Sequence, residues 1–366
     1  MSVSDVTHHE TGHEHDEHSH DHPEWLAHHF DDAEQQFDSG KLGMWLFLVT
    51  EVLFFSGMFC AYALLRSQSP ETFAFASKFL NEKLGAINTG VLLFSSLTMA
   101  WAVRASQLSQ HRILVGMLGT TLGCAAVFLG VKAVEYTHKW GLRLLPGSLY
   151  RAQGVPTNED HAFGELSLIY MCVIPGILAV AFLIWWLISL VKKDRVQIEI
   201  AGPLFLAAAC FFGGVGLGRY LESGEAHTEN ADHTGQHDSH ATEHAAAEEL
   251  HTASPVAATA VTEPALNAVT QAHPDQVAPP KFEGVEDPKV NQKGRAGLFF
   301  SIYYCMTGVH AFHILGGMVV LTWLIVKAAR HEFHSKYFGP VDNVGLYWHL
   351  VDFIWIYLFP LLYLIG

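Results

Sequence analysis

Lys41 to Leu65 reads KLGMWLFLVTEVLFFSGMFCAYALL, and this stretch decides the fold. From Leu42 onward its twenty-four residues are apolar or small, with one exception, Glu51. At 1.5 Å per residue such a helix is about 36 Å long, enough to cross a bilayer core of about 30 Å with some tilt. An unpaired carboxylate well inside the hydrocarbon costs from about 2.5 kcal/mol upward. Glu51 is therefore expected to face other helices or a wet cavity and to take up a proton.

Six further spans follow the same logic. They run over residues 84–103, 113–136, 166–191, 198–220, 297–329 and 343–365. The loop at 66–83 turns at SQSP, and Lys192, Lys193, Asp194 and Arg195 make a tight polar turn between the fourth and fifth spans. Pro175 is expected to kink the fourth span, with neighbouring helices satisfying the freed carbonyl. Gly119 and Gly123 form a small-xxx-small face, and GGVGLG at 213–218 suits close packing rather than phosphate binding, because no strand precedes it. The predicted fold is an all-α integral membrane protein with seven transmembrane helices.

Half of the 366 residues are hydrophobic, while the formal charge of -15 gathers in two polar stretches. The chain divides into a tail (1–40), five spans (41–221), a polar insert (222–295) and two spans (296–366). The tail carries His8, His9, His13, His15, His18, His20, His22, His28 and His29 among acids, and the insert carries seven more histidines from His227 to His273. Both read as solvated and disordered, with one weak helix near 243–251; weak zinc or copper binding is the sharper alternative. Neither stretch is basic, so nucleic acid is not expected as a partner. Cys60, Cys124, Cys172, Cys210 and Cys305 lie in apolar runs without a CxxC pair, which argues against a disulfide framework or a thiolate metal site. The polar first forty residues show no cleavable signal peptide.

Ionisable groups inside the spans are Glu51, Glu135, His310, His313, His349 and Asp352, and such groups are functional candidates by default. Lys132 and Glu135 are three apart and able to pair on one helix face, although interfacial snorkelling is the simpler reading for Lys132. His310 and His313 share one helix, so they are read as hydrogen-bonded packing residues rather than haem or metal ligands. No nucleophile–base set and no phosphate loop is visible.

Five motifs occur in order: KLGMWLFLVTEVLFFSGMFCAY, NTGVLLFSSLTMAW, Glu135-Tyr136, TGVHAFHILGG and YWHLVDFIWIYLFP. Together they resemble subunit III of cytochrome c oxidase, over the first three and last two spans. The resemblance implies a subunit with no redox centre and no cofactor of its own. Haem and copper would reside in partner subunits. It implies direct binding to catalytic subunit I, membership of a complex with subunit II, bound phospholipid and support of proton uptake, within a respiratory supercomplex. By position, Glu51 corresponds to the family's buried carboxylate and His310 and His313 to its paired histidines. Lys327 stands where a basic residue meets lipid phosphate, and Arg330 follows it. Cys60 stands where Trp is expected. The family's long form has two spans before the Glu51 helix; this chain has none, and carries two spans plus the His-rich insert before the sixth. The implied location is the bacterial cytoplasmic membrane, with the N-terminus inside and the insert and C-terminus on the periplasmic side. Accessory subunits of quinol oxidases and nitric-oxide reductases share the fold, and a stand-alone proton or metal-ion carrier is the alternative from another class.

Overall fold

A computed structural model describes residues 30, 32–150, 158–245 and 290–365 of the chain. Among them eight helices occur. They are α1 (Ala33–Gln68), α2 (Pro70–Ser77), α3 (Glu82–Gln107), α4 (His111–Gly141), α5 (Asn158–Lys192), α6 (Arg195–Ala245), α7 (Val290–Ala329) and α8 (Gly339–Phe359), the last followed by a π-helical turn at Pro360–Leu364. Seven of the eight are long and apolar enough to cross a membrane.

Local chemistry sets the boundaries. Asp32 caps α1 by accepting from the Gln35 amide at 2.7 Å, and Asn81 caps α3 by accepting from Leu84 at 2.9 Å. Pro70 occupies the first turn of α2, where its missing N–H leaves no bond unmade. The stretch read as a simple loop at 66–83 therefore holds a short helix. It buries Thr72, Phe73 and Ala76 and lies against α7. At the 192–195 turn Lys193 takes a left-handed φ of 54°, and α5 continues as helix on both sides of Pro175.

Helix α4 is the centre. It packs against α3, α5, α6 and α7, and its contact with α6 is the most extensive in the molecule. Glycine makes that approach close. A Cβ at Gly119 would meet Pro203, one at Gly123 would meet Cys210, and one at Gly130 or Gly214 would collide with the backbone of the opposite helix. Both glycine-rich faces singled out in the sequence thus join α4 to α6. The two spans that depart from the resemblance pack beside α4, with α5 outermost and its central apolar face left uncovered by the other described residues. Helix α1 lies at the opposite margin, held chiefly by α8.

Three boundaries move, the first being that α7 already begins at Val290, inside the stretch assigned to the insert. Helix α1 begins at Ala33, inside the stretch assigned to the tail. Helix α6 runs on to Ala245, well into the stretch assigned to the insert. The tail histidines, most of the expected weak helix at 243–251 and the rest of the insert up to 289 lie outside the described residues.

Candidate functional site

Two polar constellations lie within the spans. The first joins α1 to α7. Glu51 Oε2 and His313 Nε2 are 3.0 Å apart, and His313 Nδ1 lies 2.8 Å from the Val309 carbonyl one turn earlier. If Nδ1 carries the proton, Nε2 accepts and the Glu51 carboxyl donates; a doubly protonated ring makes an ion pair instead. Phe55 meets the imidazole edge-on at 5.2 Å, and the Tyr347 hydroxyl donates to the His313 carbonyl at 2.8 Å. Both partners keep about a fifth of their side-chain surface open, 17% for His313 and 19% for Glu51, so the contact sits at the rim of the bundle. The carboxylate thus faces another helix as expected and finds a specific partner there.

The second constellation lies in the core on α4. Glu135 Oε2 accepts from Lys132 Nζ at 2.8 Å, while its Oε1 accepts from Lys139 Nζ at 2.9 Å, Tyr303 at 2.7 Å and Tyr363 at 2.5 Å. Lys132 also donates to the Tyr363 hydroxyl at 2.7 Å and lies 4.8 Å above the Trp355 ring. Lys132, Glu135 and Lys139 are each 2–3% exposed. The snorkelling assigned to Lys132 is therefore corrected. The spacing of three and four residues aims both ammonium groups at one carboxylate, and the tyrosines of α7 and the chain end close the site. Two cations around one anion leave an excess positive charge, which the aromatic faces offset through cation–π attraction. The sequence reading missed Lys139, Tyr303 and Tyr363. A lysine four residues after a glutamate near a helix end was the available signal.

The remaining candidates separate. His310 and His313, though three apart, do not share an environment: His313 faces Glu51, whereas His310 is fully buried, stacked on Trp355 at 5.2 Å and edge-on to Phe128 at 5.6 Å. Neither nitrogen of His310 has a hydrogen-bond partner among the described residues. His349 Nδ1 is 2.6 Å from the Ser96 hydroxyl on α3. Asp352 is buried beside Ser96 and Cys124. Among the described residues no three side chains of metal-ligating type come together. Lys327 donates to Glu332 at 2.7 Å and lies 5.0 Å above Trp323, a pairing the sequence reading did not foresee; Arg330, at the same helix end, is exposed.

A family model described as cytochrome c oxidase subunit III matches residues 27–141 and 290–366, together just over half of the chain. The heme-copper oxidase subunit I+III of Aeropyrum pernix is 37% identical over 71 residues, 19% of this chain and 9% of that protein. Cytochrome c oxidase subunit 3 of Chondrus crispus is 30% identical over 85 residues, 23% of this chain and 31% of that one. The subunit 3 of Synechocystis is 37% identical over 70 residues, covering 19% and 30%. In each case the matched stretch spans less than a third of the relative's own length. Both matched blocks together hold α1–α4, α7 and α8; the match leaves out α5 and α6.

Proposed function

The chain belongs to the cytochrome c oxidase subunit III family, and we propose that it is the non-redox subunit III of an aa3- or caa3-like terminal oxidase. In this reading it binds and stabilises catalytic subunit I, holds phospholipid and supports proton uptake during oxygen reduction. Haem and copper then belong to partner subunits. The observation that carries the reading is the ordered match of α1–α4, α7 and α8 to the family model. That the Aeropyrum relative is named as subunit I and III in one protein supports direct contact with subunit I.

The rim contact between Glu51 and His313 supports a role beside the proton path of subunit I. Two ionisable groups joined across two helices can exchange a proton without net charge change, and both are partly open at the bundle margin. Lys327 and Arg330 end α7, where lipid phosphates lie, and each cation near an anionic surface contributes about 1 kcal/mol. The Lys327–Glu332 pair weakens that argument for Lys327 and leaves Arg330 as the better headgroup contact. The proposed setting is the bacterial cytoplasmic membrane with the N-terminus inside.

Purification by a tag on this chain from native membranes tests the reading. Haem-bearing subunits and a copper-binding subunit II are expected to come with it. If the chain purifies alone and moves protons or metal ions when reconstituted by itself, the carrier reading replaces this one. A co-purifying quinol-oxidizing or nitric-oxide-reducing complex changes the donor class and keeps the subunit assignment.

A further inference from the structure

Helices α4, α5 and α6 close on one another at the end where α4 finishes, α5 begins and the apolar part of α6 stops. Glycine allows that closure. A Cβ at Gly164 would come within 2.9 Å of the Thr137 carbonyl oxygen, and one at Gly218 within 3.1 Å of Val134. Yet the three helices leave a cavity of about 150 Å³ between them, several times the ~30 Å³ that one water takes up in the liquid. Val134, Thr137, Gly141, Gly164 and Leu168 form its buried floor, and His138, Glu165, Arg219 and Glu222 form its mouth.

The mouth is a ring of charge. Arg219 Nη2 donates to Glu165 Oε2, and His138 Nδ1 lies 3.4 Å from Glu222 Oε1. The side chains of Arg219, Glu165 and His138 are half or more exposed, whereas Glu222 keeps only 22% of its surface open. Solvated pairs of this kind contribute about 0–1 kcal/mol, so the four groups are poor fasteners for helices that glycine already brings together. Two carboxylates face one guanidinium, which leaves an excess of negative charge while the imidazole is neutral. Every lining residue lies within about two turns of the end of its span, at the depth of lipid headgroups. Farther into the membrane, α5 leaves Ile169, Ile174 and Ile177 exposed.

We propose that this cavity binds the headgroup of a phospholipid that carries a primary ammonium, the chemistry of phosphatidylethanolamine. The ammonium enters toward Glu222 and Glu165, Arg219 holds the phosphate at the mouth, and the acyl chains lie along the uncovered face of α5. The group types match. An ammonium has three N–H donors for two carboxylates, and a guanidinium has five, of which the Glu165 contact uses those on Nη2, so that others are left for phosphate oxygens. A quaternary ammonium offers the carboxylates no N–H, and the excess negative charge disfavours a lipid of net negative charge. The site sharpens the phospholipid role proposed above and rests on it. Two of its three walls, α5 and α6, belong to the part of the chain outside the family match.

Photolabelling of the full chain, in whatever complex it purifies with, tests the site. Vesicles of phosphatidylcholine carry a trace of diazirine-bearing phosphatidylethanolamine, phosphatidylcholine or phosphatidylglycerol, and labelled peptides are mapped by mass spectrometry. Phosphatidylethanolamine should label peptides from 162–177 and 215–223 about tenfold more than the other two, the factor that one charge-assisted hydrogen bond supplies. Arg219→Gln/Glu222→Gln should lower that label about as much and leave labelling beside Arg330 unchanged. Equal labelling by the three lipids overturns the proposal, and so does a label that survives the double change. If the double variant does not accumulate, the wild-type chain with stepwise N-methylated phosphatidylethanolamine decides: label that falls as N–H groups are lost supports the site, and constant label overturns it. Water-soluble glycerophosphoethanolamine at the same concentration should leave the label in place; if it removes the label, the cavity takes a free amine–phosphate and the lipid assignment falls. The readout needs neither turnover nor a haem-bearing partner, so its failure is separate from failure of the oxidase assignment.

Discussion

Glu51 and Glu135 are both carboxylates in transmembrane helices, yet their surroundings are opposite. Glu51 lies on a marginal helix, with one imidazole partner and part of its surface open. Glu135 lies on the central helix, with four donors and almost no surface. The difference separates two uses of charge in a membrane. A group with several fixed partners is held by the whole core, and moving its proton disturbs all of them. A group with one titratable partner can change protonation locally. Under the proposed function, proton exchange therefore belongs at the rim, whereas the Glu135 network ties the core together.

The largest expected effect is at Glu135. Replacing it with Leu leaves two buried ammonium groups facing each other, and removing one partner of a buried charge set costs about 3–5 kcal/mol. The folded chain recovered from membranes should fall severely. Changing Lys132 and Lys139 to Met in the same chain should restore much of it, because an apolar core of similar volume can replace a buried ion set. If Glu135→Leu alone accumulates like wild type, the cluster is not a core clamp and the contrast with Glu51 disappears.

Next comes the α4–α6 contact. Gly130→Val places side-chain atoms against the α6 backbone at Phe211 and Gly214, and overpacking of this kind costs about 1–3 kcal/mol or more. The thermal midpoint of the purified chain should drop, whereas Gly116→Val, where the structure leaves open space, should change it little. Equal drops at both positions would mean that helix propensity, not the close approach, decides.

These two cases show what the sequence could and could not disclose. Span number, the paired small residues and Glu51 were legible, because apolar length and a lone charge are local signals. Lys132 was misread because a lysine nine residues from a helix end satisfies the snorkelling rule equally well. Only the tyrosines at 303 and 363, far away in sequence, decide its direction. His310 and His313 were read as one pair because three-residue spacing places them on one broad face, yet α1 takes one ring and Trp355 the other. The extension of α6 to Ala245 was hidden by a composition of alanine, histidine and acid that suits both helix and disorder.

A smaller effect is expected at the α7 terminus. Arg330→Gln should lower the anionic phospholipid retained through purification, read by native mass spectrometry, with folding unchanged. Lys327→Gln should do less, since Glu332 already takes its charge. Equal lipid loss from both would show that the Lys327–Glu332 pair opens when a headgroup binds.

Glu51 is where the smallest effect on initial turnover is expected, and there the rim argument is most exposed to test. Glu51→Gln keeps the shape and one hydrogen-bonding group within reach of His313 Nε2, so the folded chain should lose about 1 kcal/mol or less. What it loses is the ability to give up a proton. If the rim pair supports proton entry into subunit I, the variant complex should assemble, show near wild-type initial turnover, and then take up protons more slowly or lose activity during sustained use. In the proposed function subunit I has a proton path of its own, so complete inactivation is not expected. His313→Gln should reproduce the same behaviour, because the pair exchanges a proton only when both members titrate. Wild-type proton uptake and lifetime in Glu51→Gln would reduce the contact to a helix-joining hydrogen bond. A defect in Glu51→Gln that His313→Gln does not share would assign the titration to the carboxyl alone, working with a group on the partner subunit rather than with its neighbour on α7.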